Sequence, residues 1–349
     1  MNQLIVPCGY MGSGSSAITD LIKEISGYKA PNNDFEYVFL HCPNGVFDLE
    51  DKLLNGNNAI RSDEAIHSFI STMELLFDKK NYWVGMYKSK VSVDFMKYCY
   101  DFIEKLNVYK YNNTYWYYQQ IPNVRMSMQN YFRRMIAKLS NNKILLDVPL
   151  RYKEMMIAYP SEKQFYIAAK DFINKILSCF NEDYVIMDQL LLPQNIKRIS
   201  NYFDDRLKVF LVDRDPRDVF FSNKYIWAKK QFAVPYPMDV ESFCEVYRRQ
   251  HDMVYHETNK QNVFEIRFED LIYYYTETLN EIYEFLGISE ELHIDKKKYF
   301  NPEISKNNIA IFRSGMFPKS ECCYIEEHLK EFLYPFKKGM YDGDYKKIF

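Results

Sequence analysis

Residues 4–8 form a short apolar run of β character, and residues 16–26 carry Ile18, Leu21, Ile22 and Ile25 at helical spacing. Between them lies GYMGSGSS, residues 9–16. A strand that hands over to a helix through glycines and hydroxyls constrains the fold more than any other stretch of this chain. Backbone N–H groups and the positive end of the helix can converge there on an anion. Gly9, Gly12 and Gly14 allow the positive φ angles and close approach such a nest requires. Gly9, Gly14 and Ser16 fit the pattern GxxxxGK[ST], but Ser15 stands where its lysine belongs, which speaks against an ordinary ATPase or kinase. A tight βα turn without a ligand is the plainer reading. It leaves the number of glycines and hydroxyls unexplained.

The same alternation returns later. Residues 184–189 (YVIMDQ) read as a strand and 195–203 as a helix; 206–215 (RLKVFLVDRD) read as a buried strand, followed by a helix with Pro216 in its first turn. Residues 263–271 read as another strand, and a helix then runs to a stop at Gly287. Residues 143–148 (KILLDV) could add one more strand. Strands alternating with helices predict an α/β fold with a central, mostly parallel sheet covered on both faces. Residues 79–180 interrupt the alternation with helical patterns, so the expectation is one domain over 1–349 with a mainly helical insertion or lid on the acceptor side. With 47% hydrophobic residues the chain can pack a core of that size.

Charge excludes one class of partner: 45 basic against 47 acidic residues gives −2, so no global basic field favours nucleic acid, and any anion site is local. No apolar run reaches the length of a membrane span, and the glycine loop follows the first residues too closely for a secretory signal. Seven cysteines without paired spacing fit a reducing cytoplasm. No group of histidines and carboxylates has metal-ligand spacing, so no metal is expected.

Residues 209–223 (VFLVDRDPRDVFFSN) place Arg214 at the carboxyl end of a strand and Ser222 within the following helix. A guanidinium there offers bidentate bonds to a phosphate, and a hydroxyl adds a donor. The alternative is an ion pair with Asp213, Asp215 or Asp218, the expected role for Arg217. GYMGSGSSAITDLI, FLVDRDPRDVFFSN, FEIRFEDLIYYYTETLNEIYEFLGI and NNIAIFRS, in that order, resemble the sulfotransferases that use 3'-phosphoadenosine 5'-phosphosulfate (PAPS). The resemblance implies a three-layer P-loop-type fold. It places the 5'-phosphosulfate on Gly12, Ser13, Gly14, Ser15 and Ser16, and the 3'-phosphate on Arg214 and Ser222, with Arg313 as a further contact. Arg267, Glu269 and Asp270 are expected to fix a strand-to-helix junction.

The resemblance also implies a Lys or Arg where this chain has Gly12. Arg61, Lys88 or Lys90 could substitute, or Ser13, Ser15 and Ser16 could carry the charge, or the chemistry could be lost or altered. For the catalytic base the family position corresponds to Asp188, with Asp147 second; either carboxylate could instead cap a helix. His41 and His67 read as structural. Tyr115, Trp116 and Tyr118 could stack on sugar faces or pack the insertion, and 31 Tyr with 26 Phe make aromatic enrichment by itself uninformative. The expected function is transfer of a sulfuryl group from PAPS to a hydroxyl or amine, on a glycan or glycolipid precursor, leaving 3'-phosphoadenosine 5'-phosphate. A nucleotide kinase or NTPase, or a non-catalytic nucleotide-binding relative, is the alternative.

Overall fold

The computed structural model describes residues 3–32, 35–80, 84–112, 124–144, 146, 152, 154–230, 235–254, 261–337 and 340. Its main sheet joins β1 (Gln3–Gly9), β2 (Tyr28–Lys29), β5 (Tyr184–Ile186), β6 (Leu207–Asp213) and β7 (Val263–Arg267) in the order β2-β5-β1-β6-β7. Every pairing in it is parallel, with Ile5 opposite Ile186 on one side and Lys208 on the other. A small antiparallel pair, β3 (Tyr109–Asn112) with β4 (Glu154–Ile157), stands apart. The helices are α1 (Ser16–Lys23), α2 (Val46–Leu54), α3 (Ala59–Asp78), α4 (Tyr87–Lys90), α5 (Phe95–Lys105), α6 (Val124–Leu139), α7 (Glu162–Leu177) and α8 (Ile199–Tyr202). After β6 come α9 (Pro216–Phe221), α10 (Val240–Asp252), α11 (Asp270–Tyr273), α12 (Tyr275–Leu286), α13 (Pro302–Ser305) and α14 (Lys319–His328). A π-helical turn, Ser222–Trp227, prolongs α9.

Strand periodicity separates the core into two layers. Leu4, Val6, Leu207 and Val209 join one buried cluster; Ile5, Ile186, Phe210 and Val212 join the other. The first cluster is completed by α2, α3, α5 and α7, the second by α1, α11 and α12. This is the α/β sandwich expected from the alternation of elements. Within residues 79–180, Phe95 and Phe102 of α5 and Phe165 and Phe172 of α7 are buried in the same cluster as Leu4 and Val6, with the Phe102 and Phe172 rings stacked at 5.3 Å. Residues 143–148 fall largely outside the described residues, as do Tyr115, Trp116 and Tyr118.

Several boundaries differ from the sequence pattern. β5 ends at Ile186, although the amides of Met187 and Gln189 still donate to the Ile5 and Pro7 carbonyls of β1, and Gln189 then takes the left-handed region at φ 57°. The helix expected at 195–203 begins as a 3-10 helix, Pro193–Arg198, and becomes α-helical only in α8. Pro216 opens α9, whose first turn is capped by the Asp215 carboxylate accepting from Arg217 N–H at 2.9 Å. All seven cysteines are free thiols.

The carboxylate of Glu24, directly after α1, is buried and accepts from the backbone N–H groups of Lys297, Tyr299 and Phe300, with His293 Nε2 at 2.8 Å. Burial alone would raise its pKa; the His293 and backbone hydrogen bonds outweigh that and hold it below the ordinary glutamate range. Because the folded value is the lower one, this contribution is fully present above the unfolded pKa and is lost as pH falls through the folded value. Glu24→Ala is expected to cost about 3–5 kcal/mol at neutral pH, since it strands buried donors. Urea unfolding of wild type and variant across pH checks this: the gap should narrow on acidification below the glutamate range.

Candidate active site

The phosphate loop runs from the end of β1 to α1. Gly12 and Gly14 take φ values of 86° and 90°, a region costly to side-chain-bearing residues. Gly9 has ordinary backbone angles. Its requirement is space, for a Cβ there would lie 2.9 Å from the Val212 carbonyl. A Cβ on Gly14 would strike the Phe268 ring at 2.9 Å, and one on Gly12 would reach Asn223 Oδ1 at the same distance. The first hydrogen bonds of α1 run from Ala17 N–H to Gly14 and from Ile18 N–H to Ser15, so the amides of Gly14, Ser15 and Ser16 stand at the helix's open, positive end. Ser13 is buried with its Oγ lacking a hydrogen-bond partner among the described residues. Ser15 Oγ accepts from Gln189 Nε2 at 2.9 Å.

Arg214 leaves the end of β6 and is only 3% exposed. Its backbone N–H donates to Asp213 at 2.8 Å, but its guanidinium forms no ion pair with the flanking aspartates. Nη1 donates to the Gly12 carbonyl at 3.1 Å, Nη2 donates to the Asn308 carbonyl, the guanidinium rests over the Phe268 ring, and Nε has no partner among the described residues. The aspartates are otherwise engaged. Asp213 meets Arg267 at 3.0 Å and His251 at 3.2 Å, and Asp215 binds Arg217 at 2.7 Å, which in turn reaches Glu326. Asp218 accepts from Ala310 N–H at 2.7 Å; burial first, then Asp215 and Glu269, push its pKa up against the pull of Arg214. Arg217 thus plays the ion-pair role expected of it, whereas Arg214 is a buried cation for which no carboxylate lies in ion-pair range among the described residues. Such a charge is costly to bury unless an anion joins it. Ser222, fully buried where α9 passes into the π-helical turn, also has an Oγ without a partner there.

Both motifs open onto one cleft of about 720 Å³. Gly12, Gly14, Ser15 and Ser16 line one part of it with Arg214 and Asn308; Glu36, His41 and Asp188 line another; Trp227, Tyr236 and Tyr299 supply aromatic surface. Asp188, just beyond β5, has one carboxylate oxygen buried without a hydrogen-bond partner among the described residues. Burial, and then the charge of Glu36, raise its pKa to about 7. His41 Nε2 lies 2.7 Å from the Gln189 carbonyl, and burial pushes its pKa below the ordinary histidine range, so the ring is neutral at pH 7. A cation site at one end of the cleft and a carboxylate poised near neutrality in its wall suit transfer of an anionic group to an acceptor that must lose a proton.

The family model described as the sulfotransferase domain matches residues 5–310. The chain belongs to the sulfotransferase domain family. Among solved structures it is similar to sulfotransferase STF9 from Mycobacterium avium, at 11% identity and a TM-score of 0.38, covering 98% of this chain and 79% of that one. No curated protein sequence matches it.

In this sulfotransferase-family chain several expected residues lie away from the cleft. Arg313 is on the surface, its guanidinium over the rings of Phe312 and Phe336; the neighbouring contribution to the cleft comes from Asn308. Arg61 donates to the Lys52 and Asp51 carbonyls, Lys88 is near Asp78, and neither they nor Lys90 line the cleft. Asp147 lies outside the described residues. His67 is held by the Glu154 carbonyl and Asp63, a structural position as expected, but His41 forms part of the cleft wall. Gln189, Asn223 and Phe268 went unrecognised in the sequence, and Asn308, in the late segment NNIAIFRS, reaches the cleft in place of the expected Arg313. Asn223 and Phe268 also sit inside motifs, but their roles depend on contacts with a loop far away in the chain.

At Gly12 a side chain would meet both an unfavourable backbone angle and the Asn223 amide. Gly12→Ala should lower stability by about 1–3 kcal/mol. In chemical denaturation the double variant Gly12→Ala/Asn223→Ala should recover only part of that loss relative to Asn223→Ala, because the backbone strain remains.

Proposed function

We propose that the chain transfers a sulfuryl group from PAPS to a hydroxyl or amine of a glycan or glycolipid precursor, with 3'-phosphoadenosine 5'-phosphate as the second product. The observation that carries this reading is Arg214, a buried guanidinium in the cleft whose bonds go to neutral carbonyls and whose Nε is left over. Ser13 Oγ and Ser222 Oγ are further buried groups awaiting partners. A nucleotide with phosphates at two ends fits that donor set. The amides of Gly14, Ser15 and Ser16 with the Ser13 and Ser16 hydroxyls would hold the 5' end, and Arg214 with Ser222 the 3'-phosphate. PAPS supplies the sulfuryl group and a stable bisphosphate leaving group.

The chain's own residues do the rest. Asp188 takes the proton that the acceptor oxygen or nitrogen gives up as its bond to sulfur forms; a pKa of about 7 leaves a useful carboxylate fraction at neutral pH with enough basicity to hold the proton. Without a lysine at Gly12, charge on the departing oxygen falls to the open end of α1 and to the serine hydroxyls. Trp227, Tyr236 and Tyr299 offer faces on which a sugar can stack, the support for a glycan-type acceptor.

Titration with the bisphosphate product tests the donor site: Arg214→Ala should weaken binding by about 10- to 100-fold, and equal affinity would sink the assignment. With an acceptor in hand, kcat/KM should fall on the acid side of pH 7 as Asp188 protonates. Asp188→Asn should lose about 10²- to 10⁴-fold in rate while binding the bisphosphate like wild type. Tight bisphosphate binding with no sulfation of any acceptor would instead mark a non-catalytic nucleotide-binding relative.

A further inference from the structure

Helix α6 is turned inside out relative to an ordinary surface helix. Val124, Met128, Tyr131, Phe132, Met135 and Leu139 recur along it so that they share one stripe about 100° wide. That stripe faces outward: these side chains are between 39% and 79% exposed. The less exposed residues are Asn130, Arg133 and Ala137 on the opposite side and Ile136 at its edge. Among the described residues, none of the stripe enters a buried cluster. Just past the helix, Ile144 and Leu146 are exposed as well.

Charge gives the stripe its partner. Residues 124–143 contain Arg125, Arg133, Arg134, Lys138 and Lys143 and no Asp or Glu, within a chain whose formal charge is −2. Arg134 and Lys138 border the stripe on one side and Arg125 on the other, so cations frame the apolar residues along a helix about 24 Å long. A second copy of the same helix laid against it would bring these cations against their own kind. A nucleic acid would leave the apolar stripe in water. A layer of anionic lipid headgroups over acyl chains satisfies both parts at once, because apolar side chains enter the interface and the flanking cations meet the headgroups.

We propose that α6 is an in-plane membrane anchor: its outward stripe of Val124, Met128, Tyr131, Met135 and Leu139, framed by Arg125, Arg134 and Lys138, seats the protein on an anionic lipid surface. The helix lies on the membrane and does not cross it; among the described residues no helix is long and apolar enough to span a bilayer. This inference is independent of what the cleft binds.

The experiment is co-sedimentation of the full-length chain with phosphatidylcholine vesicles, with and without phosphatidylglycerol. Protein should pellet with the anionic vesicles at least about tenfold more than with neutral ones, and high salt should release it. Two variants separate the contributions. Tyr131→Asp/Leu139→Asp should abolish pelleting, and Arg125→Gln/Arg134→Gln/Lys138→Gln should reduce it by about tenfold or more. These side chains are exposed, so wild-type melting temperatures are expected. Should the aspartate pair disturb folding, the glutamine variant still decides the matter. Equal pelleting on both vesicle types, no pelleting on either, or variants that bind like wild type would overturn the proposal. So would a dimer in sedimentation velocity that Leu139→Asp dissolves, since the stripe would then close on a second copy.

Discussion

A guanidinium taken out of water and given no carboxylate sets the conditions for the rest of this structure. Arg214 makes no ion pair with its three neighbouring aspartates: Asp213 pairs with Arg267 and His251, Asp215 pairs with Arg217, and Asp218, within the field of Arg214, accepts from the Ala310 amide. What remains for Arg214 is the carbonyl of Gly12 and that of Asn308. By spanning them it ties the phosphate loop to the segment after α13. The arrangement holds together two stretches that share no secondary structure, and it keeps positive charge available at the mouth of a helix whose own end is positive. Peptide dipoles alone solvate a buried cation incompletely, so the protein by itself is left with an electrostatic deficit that an anion removes.

The carboxylate network behind Arg214 makes this possible. Tyr247 Oη lies 3.1 Å from Asp213 and 3.0 Å from the Arg214 carbonyl, two acceptors in reach of its one proton, and Glu269 accepts from the Asp215 amide at 2.7 Å. These bonds, with Arg267 at the end of β7, stiffen the carboxyl edge of the sheet where β6 and β7 finish side by side. The expected role of Arg267 and Glu269 as a strand-to-helix junction fits this picture, since their 3.4 Å contact sits between β7 and α11.

Much of the frame could be read along the chain because its signals are local. The apolar runs of β1 and β6 are buried on both faces, Pro216 and Gly287 mark ends that need no partner, and Gly12 and Gly14 announce their backbone angles by being glycine. What escaped is what distant residues decide. β2 is two residues long and exists only because Tyr28 pairs with Tyr184. The four-residue strand β3 is exposed and owes its form to β4. Arg214 and Arg313 look alike in sequence, both near aromatic residues in family-like motifs, but the first is buried beside Asn308 and the second is exposed over the half-buried rings of Phe312 and Phe336. The position of Asp188 as first candidate for the base is legible in the sequence; the burial and the Glu36 charge that lift its proton affinity are not.

The short helix α1 has a second consequence. Its first turn faces the phosphate loop, and Glu24 at its far end grips the amides of Tyr299 and Phe300, which belong to the cleft wall. The helix therefore works as a rigid lever with the loop at one tip and the rim at the other. Ile18, Leu21 and Ile22 on its inner face are fully buried in close packing. Through α1 the phosphate loop and the Tyr299–Phe300 side of the cleft are therefore parts of one rigid unit.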